Sequence, residues 1–173
     1  MAQGIKLQLK NRLKGAKRVA VLGIGSELMA DDSAGMLLVD ELNKCSSKKS
    51  SVELRAFFGS NAPENLTGEI KRFSPTHLLI VDAAQIGKKP GEISFFSHTE
   101  DLSGVSFCTH RLPINVMTDY LLKFCPCDIT LIGIQPKTIC FGTSASAEVK
   151  KATKQLSLLI REAVLTPPAA EFH

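Results

Sequence analysis

The chain has 173 residues, of which 44% are hydrophobic and 22% are charged, and its formal net charge is +4 at pH 7. This length and composition predict one globular domain rather than a disordered or fibrous chain. A charge this small does not suggest a nucleic-acid partner, and no apolar run reaches the length that membrane insertion requires.

Five cysteines form an odd set that lacks the paired spacing of a structural zinc site. The first residues show no uninterrupted apolar block of the kind that a signal peptide contains. Reduced thiols and a cytoplasmic location are therefore expected, with a monomer as the default assembly.

The N-terminal segment 1–17 concentrates the positive charge of the chain. Leu9 and Leu13 stand at helical spacing, which favours a basic helix or arm that rests on the domain. The domain itself is predicted over residues 18–165, and the tail 166–173 is predicted to be disordered.

Strands and helices alternate through the predicted domain. In chain order, we predict a strand at 18–22, a helix at 32–44, a strand at 52–58, a helix at 64–73, and strands at 77–84 and 93–96. A helix at 114–124, a strand at 128–134 and a long helix at 147–164, capped by Ser144 or Ser146, complete the order. This pattern predicts an α/β fold: a single domain with an open, twisted, mostly parallel sheet of about five strands and helices on both faces.

The loop after the first strand has the sequence LGIGSELMADDSAG and spans residues 22–35. Two glycines after a strand suggest a phosphate loop, but Leu28 replaces the third glycine of a dinucleotide fingerprint and no Gly-Lys-Ser/Thr ending follows. The loop would repel a phosphate because it carries Glu27, Asp31 and Asp32, so a cation is the more suitable ligand.

Asp82 is expected to end the strand formed by the apolar run HLLIVDAA, and His110 stands just ahead of the helix 114–124. Ligands of open α/β sheets bind at the carboxyl ends of the strands, where Asp32 and Asp82 can converge. Two carboxylates and one imidazole suit nickel, zinc, iron or manganese. Taken singly, Asp31, Asp32 and Asp82 could each cap a helix, and His110 could be an exposed loop residue.

Four ordered segments resemble the hydrogenase maturation endopeptidases: VLGIGSELMADDSAGMLLVDEL, APENLTGEIKRFSPTHLLIVDAAQIGKKPGEI, THRLPINVMTDYL and LIGIQPKTICFG. The resemblance is greatest to the subgroup that serves formate-hydrogenlyase or energy-conserving nickel-iron hydrogenases. It implies a protease that removes the C-terminal extension of the hydrogenase large-subunit precursor after nickel insertion. It also implies that Asp32, Asp82 and His110 recognise nickel.

The expected mechanism follows from that resemblance. Nickel is expected to arrive with the precursor, so no tightly bound metal is expected in the isolated enzyme. Asp32 and Asp82 are the expected catalytic residues, with the metal polarising the scissile carbonyl or activating water while one carboxylate acts as general base. We expect substrate contacts from four residues: Gly25, Glu27, Asp31 and Glu64.

Phe58 departs from the family pattern, which commonly has an acid at this position, and a neighbour such as Glu64 would have to replace that acid. Two other functions remain open at this stage. One is a maturation chaperone that depends on metal but does not cleave, and the other is a small hydrolase that is independent of nickel.

Overall fold

Six strands and five α-helices are seen in the structure, a computed structural model that describes residues 2–44, 50–97, 102, 104–108 and 114–165. The strands are β1 (Arg18–Ile24), β2 (Glu53–Ser60), β3 (His77–Gln85), β4 (Ile93–Ser97), β5 (Ser106–Phe107) and β6 (Asp128–Ile134). The helices are α1 (Ala2–Arg12), α2 (Ala34–Asn43), α3 (Thr67–Phe73), α4 (Ile114–Phe124) and α5 (Ala147–Leu165).

The sheet has the strand order β2-β1-β3-β6-β4, and the short strand β5 pairs with β3 beside this path. Strands β2, β1, β3 and β6 run parallel to one another, whereas β4 is antiparallel to β6 and β5 is antiparallel to β3. The predicted α/β class with a mostly parallel sheet is therefore confirmed. The carboxyl ends of four parallel strands meet at one edge, which we call the carboxyl edge.

Both faces of the sheet are covered because its central strands are apolar on both sides. Leu79 and Val81 of β3 belong to a core shared with α1, α2 and α5. Leu78 and Ile80 of the same strand belong to a second core, which includes Ile70 of α3 and residues of α4. Successive side chains of a strand point to opposite faces, so a continuous apolar run is what a strand between two helical layers requires.

The elements differ from the sequence prediction in several of their bounds and in one additional strand. The predicted helices at 32–44 and 64–73 each begin with a 3₁₀ turn, at Ala30–Ser33 and Pro63–Leu66 respectively, before the α-helix starts. The sheet has six strands rather than about five, because β5 was not predicted. Of the two serines proposed as caps of α5, Ser146 is the one whose hydroxyl accepts the backbone N–H of Val149, at 3.3 Å.

The basic N-terminal segment forms α1 and packs against the domain. Leu9 and Leu13 are 0% and 1% exposed, and Lys6 makes an ion pair with Glu162 of α5. No helix within the described ranges is both long enough and apolar enough to cross a membrane. The predicted disordered tail, 166–173, lies outside the described residues.

Candidate active site at the carboxyl edge

Glycines bring the start of α2 into direct contact with the ends of β1 and β3. A Cβ atom on Gly35 would lie 2.3 Å from the carbonyl oxygens of both Ile24 and Val81. A Cβ on Gly23 would lie 2.1 Å from the carbonyl oxygen of Gly35. Only glycine permits backbones to approach this closely, and the result is that the turn preceding α2 is fixed at the carboxyl edge.

Gly25 shapes the loop that leads into this turn. Its φ of +128° is one that side chains rarely permit, and a Cβ there would lie 1.7 Å from the carbonyl oxygen of Asp32. Its N–H donates to the carbonyl oxygen of Ser60, at 3.1 Å, so the end of β2 is joined to the loop. Gly25 therefore acts through its backbone shape, while the substrate contact expected of it remains a prediction.

The two acids expected to be catalytic are both buried at this edge. Asp32 lies in the 3₁₀ turn, is 3% exposed, and accepts the backbone N–H of Ser26 at its Oδ2 atom, at 2.9 Å. Asp82 is 0% exposed and lies in β3 directly after Val81, whose carbonyl meets Gly35. The sequence-based expectation that these two residues converge agrees with their positions.

The Cys108 thiol is affected by the charges of both Asp82 and Asp32. The backbone N–H of Cys108 donates to the carbonyl oxygen of Ala83, at 2.9 Å, which places it beside the end of β3. Burial, followed by the negative charges of Asp82 and Asp32, raises the pKa of the Cys108 thiol to about 12. The thiol is therefore protonated at neutral pH, and it reports that both carboxylates lie within electrostatic range of the same atom.

Asp31 has a different role from its neighbour. Its carboxylate is 0% exposed and accepts four hydrogen bonds from the loop between β6 and α5. The Oδ2 atom accepts the N–H of Lys137 at 2.8 Å, the N–H of Thr138 at 3.1 Å and the hydroxyl of Ser146 at 2.9 Å. The Oδ1 atom accepts the N–H of Ser146 at 2.6 Å. These bonds show that Asp31 supports this loop, while the substrate contact expected of it from the sequence remains a prediction.

Gln135 is a buried polar residue that the sequence analysis did not identify. It follows β6 at the carboxyl edge, is 6% exposed, and accepts the N–H groups of Ile86 and Lys88 at its Oε1 atom. Its Nε2 atom donates to Gln85 Oε1, at 2.7 Å. It therefore fixes the segment that leaves β3 just after Asp82. The only sequence signal was its place in the segment LIGIQPKTICFG.

Two of the remaining predicted site residues are described by the structure and are exposed. Glu27 and Glu64 are exposed, Glu27 in the loop before the first 3₁₀ turn and Glu64 in the second turn. Phe58 pairs with Gly23 across the sheet and is 45% exposed. His110 lies outside the described residues.

The two buried carboxylates are the candidate metal ligands that the structure describes at this edge. Within the described ranges, no three His, Cys, Asp or Glu side chains are grouped so that they could hold a metal ion. Asp32 and Asp82 supply oxygen donors that suit a divalent cation. Among the residues that the structure describes, Asp32 and Asp82 are the candidate oxygen ligands at the carboxyl edge.

Comparison with known proteins gives one consistent result. A family model described as hydrogenase maturation protease matches residues 36–163. A putative hydrogenase maturation protease of Methanocaldococcus jannaschii is 35% identical over 156 residues, which is 88% of this chain and 91% of the relative. The hydrogenase 3 maturation protease of Escherichia coli K12 is 32% identical over 134 residues, covering 78% and 83% respectively. The crystal structure of the [NiFe] hydrogenase maturation protease HycI from Thermococcus kodakarensis superposes with a TM-score of 0.80 at 29% identity, covering 92% of this chain and 99% of that one.

Proposed function

Because this chain belongs to the hydrogenase maturation protease family and is an endopeptidase, we propose that it cleaves one particular form of its substrate, the nickel-loaded precursor. C-terminal cleavage of the hydrogenase large subunit is the general function of the family. The proposed precursor belongs to a formate-hydrogenlyase or energy-conserving nickel-iron hydrogenase, as the four sequence segments suggest.

The observation that supports this function is the meeting of Asp32 and Asp82 at the carboxyl edge. Both carboxylates are buried, and both act on the Cys108 thiol. Two buried like charges oppose each other, and a divalent cation that binds between them offsets this repulsion. A precursor that carries such a cation therefore gains more from docking here than one that lacks it.

The nickel belongs to the substrate in this proposal. Asp32 and Asp82, joined by His110, would complete its coordination from outside, while the precursor supplies its remaining ligands. A site that holds the ion only together with the precursor requires the precursor for binding. Recognition of the metal and recognition of the protein then become one event.

The hydrolytic step needs a general base and an activated carbonyl. Nickel would supply Lewis acidity, and one of the two carboxylates would accept the proton of the attacking water. Cys108 does not act as a nucleophile in this scheme, because a thiol with a pKa of about 12 is almost entirely protonated at neutral pH. Cys108→Ala should therefore retain cleavage, and its loss in a folded variant would favour a thiol mechanism.

The function is tested by incubating the purified chain with nickel-loaded and nickel-free precursor and measuring the C-terminal mass loss. Cleavage of the loaded form alone is expected. Binding without mass loss would favour a chaperone, and equal cleavage of both forms would favour a hydrolase that is independent of nickel. Asp32→Asn and Asp82→Asn should each abolish cleavage, whereas the exposed α2 acid Asp40, changed to Asn, should not affect it.

Two further proposals concern the setting of the enzyme. We propose that it acts in the cytoplasm, since Cys108, Cys125, Cys127 and Cys140 form no disulfide among the described residues. We also propose that it is a monomer, which sedimentation of the purified chain would test.

A further inference from the structure

Two exposed apolar side chains lie beside the carboxyl edge, and the proposed mechanism does not use them. Leu28 is 62% exposed and Phe141 is 73% exposed, which are the highest values among the large apolar residues that the structure describes. We call this pair the apolar rim. Side chains of this size lose favourable burial energy when they stand in water, so their exposure beside a site suggests a binding role.

The two members of the rim are held together through their backbones. Gly142, which follows Phe141, donates its N–H to the carbonyl oxygen of Leu28 at 2.9 Å. A second bond joins the same two loops, from the N–H of Ala30 to the carbonyl oxygen of Thr143, at 3.2 Å. Phe141 and Leu28 therefore stand on adjacent strips of backbone although 113 positions, from 28 to 141, separate them in the chain.

The rim is fixed to the catalytic acids as well. Leu28 lies in the loop between Ser26, whose N–H binds the Asp32 carboxylate, and the 3₁₀ turn that contains Asp32 itself. Phe141 lies in the loop that is anchored by the four hydrogen bonds to Asp31. Both loops begin at the carboxyl edge, at the ends of β1 and β6, so that a polypeptide that reaches Asp32 comes close to the rim.

We propose that the apolar rim binds an apolar side chain of the precursor's C-terminal segment, next to the peptide bond that is cut. This inference rests on the proposed function, because it takes the precursor as the substrate. The polypeptide substrate is the favoured occupant because the rim is continuous with the catalytic loop and uses two rigidly supported side chains. The rim would then fix the position of the scissile bond relative to Asp32 and Asp82.

The test uses Leu28→Ser and Phe141→Ser, which remove apolar surface from exposed positions. Leu158→Ser is the matched control, because Leu158 is 58% exposed on α5 and lies 12 residues beyond Ser146, or about 18 Å along the helix axis. Thermal unfolding of all three variants should match that of the wild type. Steady-state cleavage of the nickel-loaded precursor is then measured for each.

We expect KM to rise about tenfold in each rim variant while kcat changes less than about twofold, and we expect the control to match the wild type. Replacing the apolar residues of the precursor that flank the cut with serine should raise KM for the wild type and add little to the rim variants. Unchanged KM in both rim variants, with the wild type cleaving normally, would overturn the inference while the proposed function stands.

A wild type that cleaves neither form of the precursor would instead contradict the proposed function. In that case the rim is judged by binding alone, using immobilised nickel-loaded precursor, and equal binding by wild type and rim variants would overturn it. A second copy of this chain is the competing occupant. Concentration-dependent dimerisation of the wild type that Leu28→Ser and Phe141→Ser both abolish, without an effect on KM, would assign the rim to self-association.

Discussion

Replacing Asp31 with asparagine removes the negative charge that anchors the loop between β6 and α5. An asparagine keeps the shape of the side chain, so the cost comes from the hydrogen bonds and not from a cavity. In the orientation that retains most bonds, its oxygen takes the place of Oδ2 and still accepts Lys137 N–H, Thr138 N–H and the Ser146 hydroxyl. Its NH₂ group then faces the N–H of Ser146, which the carboxylate accepts at 2.6 Å.

The size of the effect follows from this geometry. One charge-assisted bond is lost, which costs about 1.5–3 kcal/mol, and the three remaining bonds weaken because their acceptor is now neutral. We therefore expect Asp31→Asn to lower the free energy of unfolding by about 2–4 kcal/mol. For a chain of this length that corresponds to a fall in Tm of roughly 5–15 °C. Asp31→Ala should cost more, because all four donors then lose their acceptor.

The assay is urea unfolding followed by circular dichroism, with thermal unfolding as a second measure. Asp40→Asn is the matched control, since Asp40 is an exposed acid on α2 that pairs only across the surface with Lys44. We expect no measurable change for the control. An Asp31→Asn variant within about 0.5 kcal/mol of the wild type, or an alanine variant no less stable than the asparagine variant, would show that these bonds do not anchor the loop.

Three other predictions follow from single positions. Gly25→Ala should lower the free energy of unfolding, measured in urea, by about 3 kcal/mol or more, because the added Cβ would lie 1.7 Å from a carbonyl oxygen. Gly142→Ala should lower it by only about 1–2 kcal/mol, because its φ is +74° but no atom lies within 4 Å of the added Cβ. His77→Gln should reduce the loss of stability below about pH 6.5, measured by urea unfolding across pH, because burial lowers the pKa of His77 and the unfolded chain therefore binds the proton more readily. Iodoacetamide at pH 8 should label the exposed Cys140 well before Cys108, whose pKa is about 12, as peptide mapping over time would show.

Each of these predictions has an outcome that contradicts it. Equal stabilities of the two glycine variants would mean that the backbone contact at residue 25 relaxes at little cost. For His77, the neighbouring Asp128 opposes the effect of burial from 3.3 Å, but its side chain is 82% exposed, so we expect burial to dominate. A wild type that gains stability as the pH falls through 6.5, with the gain lost in the glutamine variant, would show that the ion pair dominates. Equal labelling rates for the two cysteines would show that the thiol beside the acids is neither buried nor protonated.

The central strands could be predicted because a continuous apolar run is suited to a strand that is buried on both faces of a sheet. The run HLLIVDAAQ is buried over eight consecutive positions in β3, and such a run fits a parallel strand between two helical layers. Strand β5 could not be predicted, because its two residues are defined only by their pairing with Ala84 and Gln85. Strand β3 also continues to Gln85, beyond Asp82, because β5 and β6 supply partners for its last residues.

The part of the candidate site that depends only on the direction of the strands could be predicted from the sequence. The carboxyl ends of parallel strands share an edge, so the convergence of Asp32 and Asp82 could be expected from a parallel sheet in which both acids follow or end strands. The anchor at Asp31 was not predictable, since its donors lie 106 to 115 residues away in the chain and three of the four are backbone N–H groups, of Lys137, Thr138 and Ser146. Because nearly every residue type has a backbone N–H, the sequence does not indicate which of them donate to Asp31.

The 3₁₀ turn at Ala30–Ser33 explains why two adjacent aspartates have separate roles. A 3₁₀ helix has three residues per turn, so neighbouring side chains point about 120° apart. Asp31 therefore reaches the loop between β6 and α5, while Asp32 reaches the Ser26 amide and the ends of the strands. The glycines at 23, 25 and 35 set where the turn lies, and the turn directs Asp31 to the loop that carries Phe141 and Asp32 to the Ser26 amide.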